Sequence, residues 1–167
     1  LRLFAEEGSS NVVQFIQKKV SCEDALDLPK PACPQKPVVL VVAVALVDSD
    51  GRILLAQRPE GKSMAGLWEF PGGKVEKDET PEFALMRELE EELDIQTRPC
   101  CFAPAGFVSH GYDDFHLLMP LYICRVWRGT PMAKEHKALK WVRAHDLYGI
   151  DMPEADKPLI PFLEEAL

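Results

Sequence analysis

From Val38 to Val47 every residue is apolar and most are β-branched. A run of that texture reads as a strand buried within a sheet, and it is about half the length that a membrane span needs. Asp48-Ser49-Asp50-Gly51 is a turn signal, and Arg52 to Arg58 reads as a second strand, so the two are expected to pair as a hairpin. A loop from Pro59 to Gly66 leads into Leu67-Trp68-Glu69-Phe70, a further strand broken by Pro71-Gly72-Gly73. Phe102 to Ser109, Phe115 to Trp127 and Ala138 to Arg143 complete the expected strands, and Ala155 to Leu167 reads as a closing helix.

The clearest helix runs from Thr80 to Leu93. Thr80 suits the N-cap, and Pro81 suits the first helical position. Leu85, Leu89 and Leu93 recur every fourth residue and make an apolar stripe for the core. Asp94 stands at the exit, where a left-handed residue is common and Asp is tolerated better than most side chains.

Residues 1–37 have a different texture. Val12, Val13, Phe15, Ile16 and Val20 suit one face of a short helix, and Pro29 to Pro37 is proline-dense. This reads as an N-terminal extension on a stiff linker, with one compact domain over residues 38–167. The net charge of −8 argues against a non-specific nucleic-acid binder, which needs a basic footprint. Acidity is compatible with a free nucleotide if a metal ion supplies positive charge. Five cysteines without a paired metal spacing read as reduced thiols of an intracellular protein, and the first residues lack the apolar core of a signal peptide.

The chemistry concentrates on the helix. Glu88, Glu91 and Glu92 stand at i, i+3 and i+4 and share one face. Such charges cost stability in an isolated helix, and a hard divalent cation offsets that cost because it wants several oxygen ligands. The Pro71-Gly72-Gly73 turn lets backbone carbonyls approach the same point. By itself a run of glutamates is more often a solvated surface. The full spacing overturns that reading. Gly73, Glu79, Arg87, Glu88, Leu89, Glu91, Glu92 and Ile95 fit G-x5-E-x7-R-E-U-x-E-E-x-G-U, where U is apolar. The fixed Gly, Glu and Arg positions would coincide by chance with a probability on the order of 10⁻⁷. Asp94 is the single departure, standing where the pattern has Gly.

The pattern is the Nudix box, and the chain resembles the Nudix hydrolases over roughly residues 38–166. Leu54 to Pro59, Gly66 to Lys74 and Ala155 to Leu159 look like segments of MutT-type 8-oxo-dGTP diphosphatases, and nearly as much like the CTP and 5-methyl-dCTP pyrophosphohydrolases. The resemblance implies an α/β/α sandwich with a central mixed sheet and the box as loop-helix-loop. It implies Mg²⁺, with Mn²⁺ as a substitute, held by Glu88, Glu91, Glu92 and the Gly72 carbonyl, with Glu92 the principal ligand. Glu88 is also a candidate base for the attacking water. Arg87 and Glu79 would brace the loop-helix-loop as an ion pair. Glu135 occupies the place of a loop glutamate that binds metal or activates water.

The same resemblance places Arg58 and Lys74 near the phosphates, and Glu69, Phe70, Pro71, Gly72 and Asp156 around the base. Ser63 stands where MutT has a substrate-contacting His, and Asp156 where it has Asn. An ionised Asp156 only accepts hydrogen bonds, which suits an amino group such as that of cytosine, or the N7–H of 8-oxoguanine. Guanine O6 would be repelled unless the acid were protonated. The implied reaction converts a nucleoside triphosphate to monophosphate and pyrophosphate, first 8-oxo-dGTP and alternatively CTP, dCTP or 5-methyl-dCTP. The expected partner is that small molecule, with no polymer, no membrane and no second subunit, in the cytoplasm. A catalytically silent nucleotide sensor is a further alternative, disfavoured because the box glutamates are kept. His110, His116, His136 and His145 show no paired metal spacing and read as surface or loop residues. Trp68, Trp127 and Trp141 read as core, and so does Tyr112, although dinucleoside-polyphosphate hydrolases keep a tyrosine at that spacing.

Overall fold

The apolar run forms β1 (Val38–Leu46), the strand around which the domain is layered. The coordinates are a computed structural model and describe residues 35–167. The expected N-terminal helix face, Cys22, Cys33 and most of the proline-rich linker lie outside the described residues. The expected linker does reach the domain: Lys36 Nζ donates to the Tyr112 carbonyl at 2.6 Å, and the His116 amide donates to the Pro37 carbonyl at 2.9 Å.

The other elements are β2 (Ile53–Gln57), β3 (Trp68–Glu69), β4 (Gly72–Lys74), α1 (Pro81–Leu93), β5 (Phe102–Gly111), β6 (His116–Cys124), β7 (Ala138–Val142) and α2 (Ile160–Ala166). β1 pairs parallel with β6 and antiparallel with β4, in a sheet of order β4-β1-β6-β5. The expected hairpin does not form. After the turn, β1 and β2 touch by one isolated bridge, Val47 to Ile53, and β2 enters a second sheet of order β3-β2-β7. The turn itself is as read: the Asp48 carboxylate accepts from the amides of Asp50 and Arg52 and from Arg52 Nε. The long-range pairing of β1 with β6 and β4 occupies both edges that a hairpin partner would need.

Strand alternation sends β1 side chains to two cores. Val42, Val44 and Leu46 pack with Leu85, Leu89 and Leu93 of α1. Ala43, Ala45 and Val47 pack with Leu159, Ile160 and Leu163 at the chain end. The result is the expected α/β/α arrangement over a mixed sheet. The closing helix is shorter than expected: a 3-10 turn over Lys157–Leu159 precedes α2. Thr80 occupies the N-cap of α1 but its hydroxyl makes no capping bond, and the Glu82 carboxylate in the first turn accepts from the Tyr122 hydroxyl at 3.0 Å. Asp94 is left-handed at φ 59°, as its place at the helix exit implied. Cys100, Cys101 and Cys124 are free. No helix among the described residues is long and apolar enough to cross a membrane.

Candidate active site

A cleft of about 390 Å³ opens between the β3–β4 turn, the loop after β2, the C-terminal half of α1 and the segment before α2. Its wall collects eight of the residues singled out by sequence: Arg58, Ser63, Glu69, Phe70, Gly72, Lys74, Glu92 and Asp156. Pro71 is buried behind it, its carbonyl accepting from the Val44 amide at 2.9 Å. Two glycines make the turn possible. A β-carbon on Gly72, at φ 150°, would lie 2.0 Å from the Val42 carbonyl oxygen, and one on Gly73 would lie 2.1 Å from Glu88 Oε1.

Arg87 ties the turn to the helix. Its Nε and Nη2 donate to the two Glu79 carboxylate oxygens at 3.1 and 3.0 Å, its Nη1 donates to Glu88 Oε1 at 2.8 Å, and Nη2 also reaches the Lys74 carbonyl at 3.1 Å. The Glu79 hydrogen bonds, followed by those of Glu88, hold the guanidinium firmly protonated against burial. In return Arg87 and the Glu76 amide hold the Glu79 carboxyl below the usual range.

Glu92 faces the cleft, its side chain 14% exposed. Its Oε2 is buried and has no hydrogen-bond partner among the described residues. Burial first, and the charges of Glu88, Glu69 and Glu135 after it, push its carboxyl up to about 7 against the pull of His136. A buried oxygen with no donor and several like charges nearby is a place that a divalent cation satisfies. Glu88 and Glu92 lie one turn apart on the inward side of α1, whereas Glu91, 57% exposed, turns outward toward Arg87 at 3.5 Å. Glu135 stands at the rim, 52% exposed and paired with Lys62 at 3.3 Å. Among the described residues no three His, Cys, Asp or Glu side chains converge at metal-ligand spacing. The shared face read from the i, i+3, i+4 spacing therefore divides: Glu91 lies round the helix from Glu92, beside a guanidinium that competes for it.

Deeper in the cleft lies Asp156, 5% exposed. Burial first, then the Glu69 charge, pushes its carboxyl up to about 8, with Arg58 opposing. It makes no capping bond to the 3-10 turn that it begins. Arg58 is less free than expected for a phosphate ligand: its Nη1 is hydrogen-bonded to Glu69 Oε2, and its Nε donates to the Ser63 carbonyl at 2.7 Å. Glu69 is thus within electrostatic reach of both Asp156 and Glu92.

Two residues read as bland belong to this wall. Tyr112, expected in the core, lines the cleft beside Phe115, with ring centroids 4.7 Å apart. His136, expected at the surface, is 6% exposed in its side chain and lines the cleft too. Tyr112 had only a single spacing to mark it and His136 no local signal; their place in the wall becomes visible only when segments distant in sequence come together. Trp127 and Trp141 stack on each other at 6.2 Å and pack against the α1 core, as read.

The NUDIX domain profile matches residues 42–161. The chain is similar to the CTP pyrophosphohydrolase of Escherichia coli (strain K12), 40% identical over 126 residues covering 73% of this chain and 89% of that protein. It is similar to the 8-oxo-dGTP diphosphatase of the same strain, 33% identical over 126 residues covering 75% and 96%. Among solved structures it is similar to the solution structure of the E. coli ORF135 protein, with a TM-score of 0.70 and 34% identity over 81% of this chain and 94% of that one. The fold and these relatives define a hydrolase acting on acid anhydrides. The chain belongs to the Nudix family.

Proposed function

We propose that the chain hydrolyses a nucleoside triphosphate to monophosphate and pyrophosphate, with 8-oxo-dGTP as first substrate, acting as a cytoplasmic monomer that cleans the nucleotide pool. The relatives named for 8-oxo-dGTP and CTP support the class. Glu92, Glu88 and the Gly72 carbonyl would hold Mg²⁺ (or Mn²⁺), with Glu91 and Glu135 as outer carboxylates. When bound, the ion neutralises phosphate charge. Lys74 adds positive charge at the mouth, and Glu88 takes the proton of the attacking water. Arg87 orients Glu88 through the 2.8 Å bond and braces the turn through the Lys74 carbonyl at 3.1 Å.

The observation that admits an oxidised guanine is the burial of Asp156. A carboxyl pushed to about 8 is mostly neutral at pH 7. A neutral acid has one O–H donor and a carbonyl acceptor, as an amide does. It can donate to guanine O6 and accept from the N7–H of 8-oxoguanine. Tyr112 and Phe115 offer aromatic surface for the base. The second reading, a cytosine nucleotide, is favoured by the 40% identity to the CTP pyrophosphohydrolase, and the carbonyl of the same neutral acid can accept from the cytosine amino group. The deciding experiment is kcat/KM on 8-oxo-dGTP, dGTP, CTP, dCTP and 5-methyl-dCTP with Mg²⁺. A strong preference for 8-oxo-dGTP over dGTP supports the first reading, and a preference for the cytosine nucleotides supports the second.

A further inference from the structure

We infer that His136 is a positioning residue for this hydrolysis: its ring, wedged between Glu69 and Glu92, ties the substrate loop after β2 to the carboxylate that holds the metal. The inference rests on the reading of Glu92 as a metal ligand.

The segment that carries His136 is built to present it. Its neighbours Lys134, Glu135 and Lys137 are 47%, 52% and 50% exposed in their side chains, while His136 alone is turned inward at 6%. Each neighbour is held outward by an ion pair: Lys134 with Asp94, Glu135 with Lys62, and Lys137 with Glu60. The backbone is pinned on both sides of the histidine. The Lys134 amide donates to the carbonyl of Glu92 itself at 3.0 Å, and the Lys137 amide donates to the carbonyl of Gln57, next to Arg58, at 2.9 Å. The first bond uses one of the carbonyls that the end of a helix leaves free.

Between those pins the ring sits 3.6 Å from Glu69 Oε1 and 3.9 Å from Glu92 Oε2 by its Nε2. These are contacts rather than hydrogen bonds. The same ring nitrogen thus faces one carboxylate from β3 and one from α1. Glu69 uses its other oxygen on Arg58, and Arg58 holds the Ser63 backbone. A continuous polar path therefore runs from Ser63 through Arg58, Glu69 and His136 to Glu92. His136 Nδ1 is buried without a hydrogen-bond partner among the described residues. A buried nitrogen without a partner lowers stability, so an apolar residue of similar size should hold the fold at least as well. Side chains that orient a metal ligand typically change metal affinity or turnover by ~10–100-fold when removed.

The test uses His136→Leu, His136→Gln and Glu92→Gln in the full chain, with Mn²⁺ as the probe. Mn²⁺ affinity is read by paramagnetic resonance without nucleotide, beside melting temperature in chelator and separate kcat and KM. For His136→Leu the expectation is weaker Mn²⁺ binding and a kcat lower by ~10–100-fold, with KM nearly unchanged and melting temperature equal or higher. His136→Gln, which keeps a polar group of similar reach, should recover much of both. Wild-type Mn²⁺ affinity and kcat in His136→Leu would overturn the inference. So would a glutamine variant no better than the leucine one, which would make the ring a space-filler. A raised KM with intact kcat would overturn it as well, by making the ring a substrate contact. Unchanged Mn²⁺ binding in Glu92→Gln would instead remove the metal reading beneath it.

Discussion

Gly73 and Glu88 share one space: a β-carbon on Gly73 would lie 2.1 Å from Glu88 Oε1. The turn and the helix are thus fitted to each other, and Gly73→Ala forces a choice. The colliding group is the far end of a flexible side chain, so Glu88 can swing away at a stability cost of about 1 kcal/mol. Its bond to Arg87 and its place beside Glu92 are lost when it does. The expected result is a nearly normal melting temperature with kcat reduced by ~10-fold or more. Gly72→Ala is the contrast, because it meets backbone and needs φ 150°. It should destabilise by about 2–4 kcal/mol and lower the yield of folded protein.

Asp156→Asn should change the dependence of stability on pH. The folded carboxyl is raised to about 8 from an ordinary value of 3.8. Between those values the folded state binds more protons than the unfolded one, so stability falls as pH rises through the window. Removing the titrating group should raise the melting temperature above that of the native chain, with a gap that widens from pH 5 to pH 8. Equal slopes for the two proteins would show that Asp156 is not titrating as a buried acid.

Glu92→Gln should separate stability from activity. The carboxyl is pushed up to about 7, so without a cation its ionisation opposes folding above the ordinary carboxylate range. The amide should therefore melt higher than the native chain in chelator at pH 8. Mg²⁺ should raise the melting temperature of the native chain through preferential binding to the folded state, and should have little effect on the variant. Turnover should fall by at least ~10²-fold. Near-normal turnover would refute the role given to Glu92.

Arg87→Lys keeps the charge and loses the fork. A lysine cannot bond both Glu79 oxygens, Glu88 and the Lys74 carbonyl at once. With the pair partly exposed, the expected cost is about 1–2 kcal/mol by denaturant unfolding. The kcat should fall further than the stability suggests, because Glu88 loses its anchor.

What the sequence made legible followed local periodicity. The stripe of Leu85, Leu89 and Leu93 marked α1 and its buried face, and Asp94 marked the helix exit, each within a few residues. The hairpin expectation failed because neighbours in sequence are the default partners, while β1 is claimed by β4 and β6. The box spacing identified the helix face but not the direction of each carboxylate, which depends on cations elsewhere: Arg87 beside Glu91, Lys62 beside Glu135. His136 was invisible for the same reason. Glu69, Glu92 and His136 meet only when β3, α1 and the segment before β7 are packed together.

Product identification by phosphorus NMR, with the full chain, Mg²⁺ and 8-oxo-dGTP, decides which phosphate bond is cut. The predicted result is 8-oxo-dGMP and pyrophosphate in equal amounts, abolished by Glu92→Gln. Release of inorganic phosphate and a nucleoside diphosphate, or no turnover of any nucleoside triphosphate in the presence of Mg²⁺ or Mn²⁺, would contradict it.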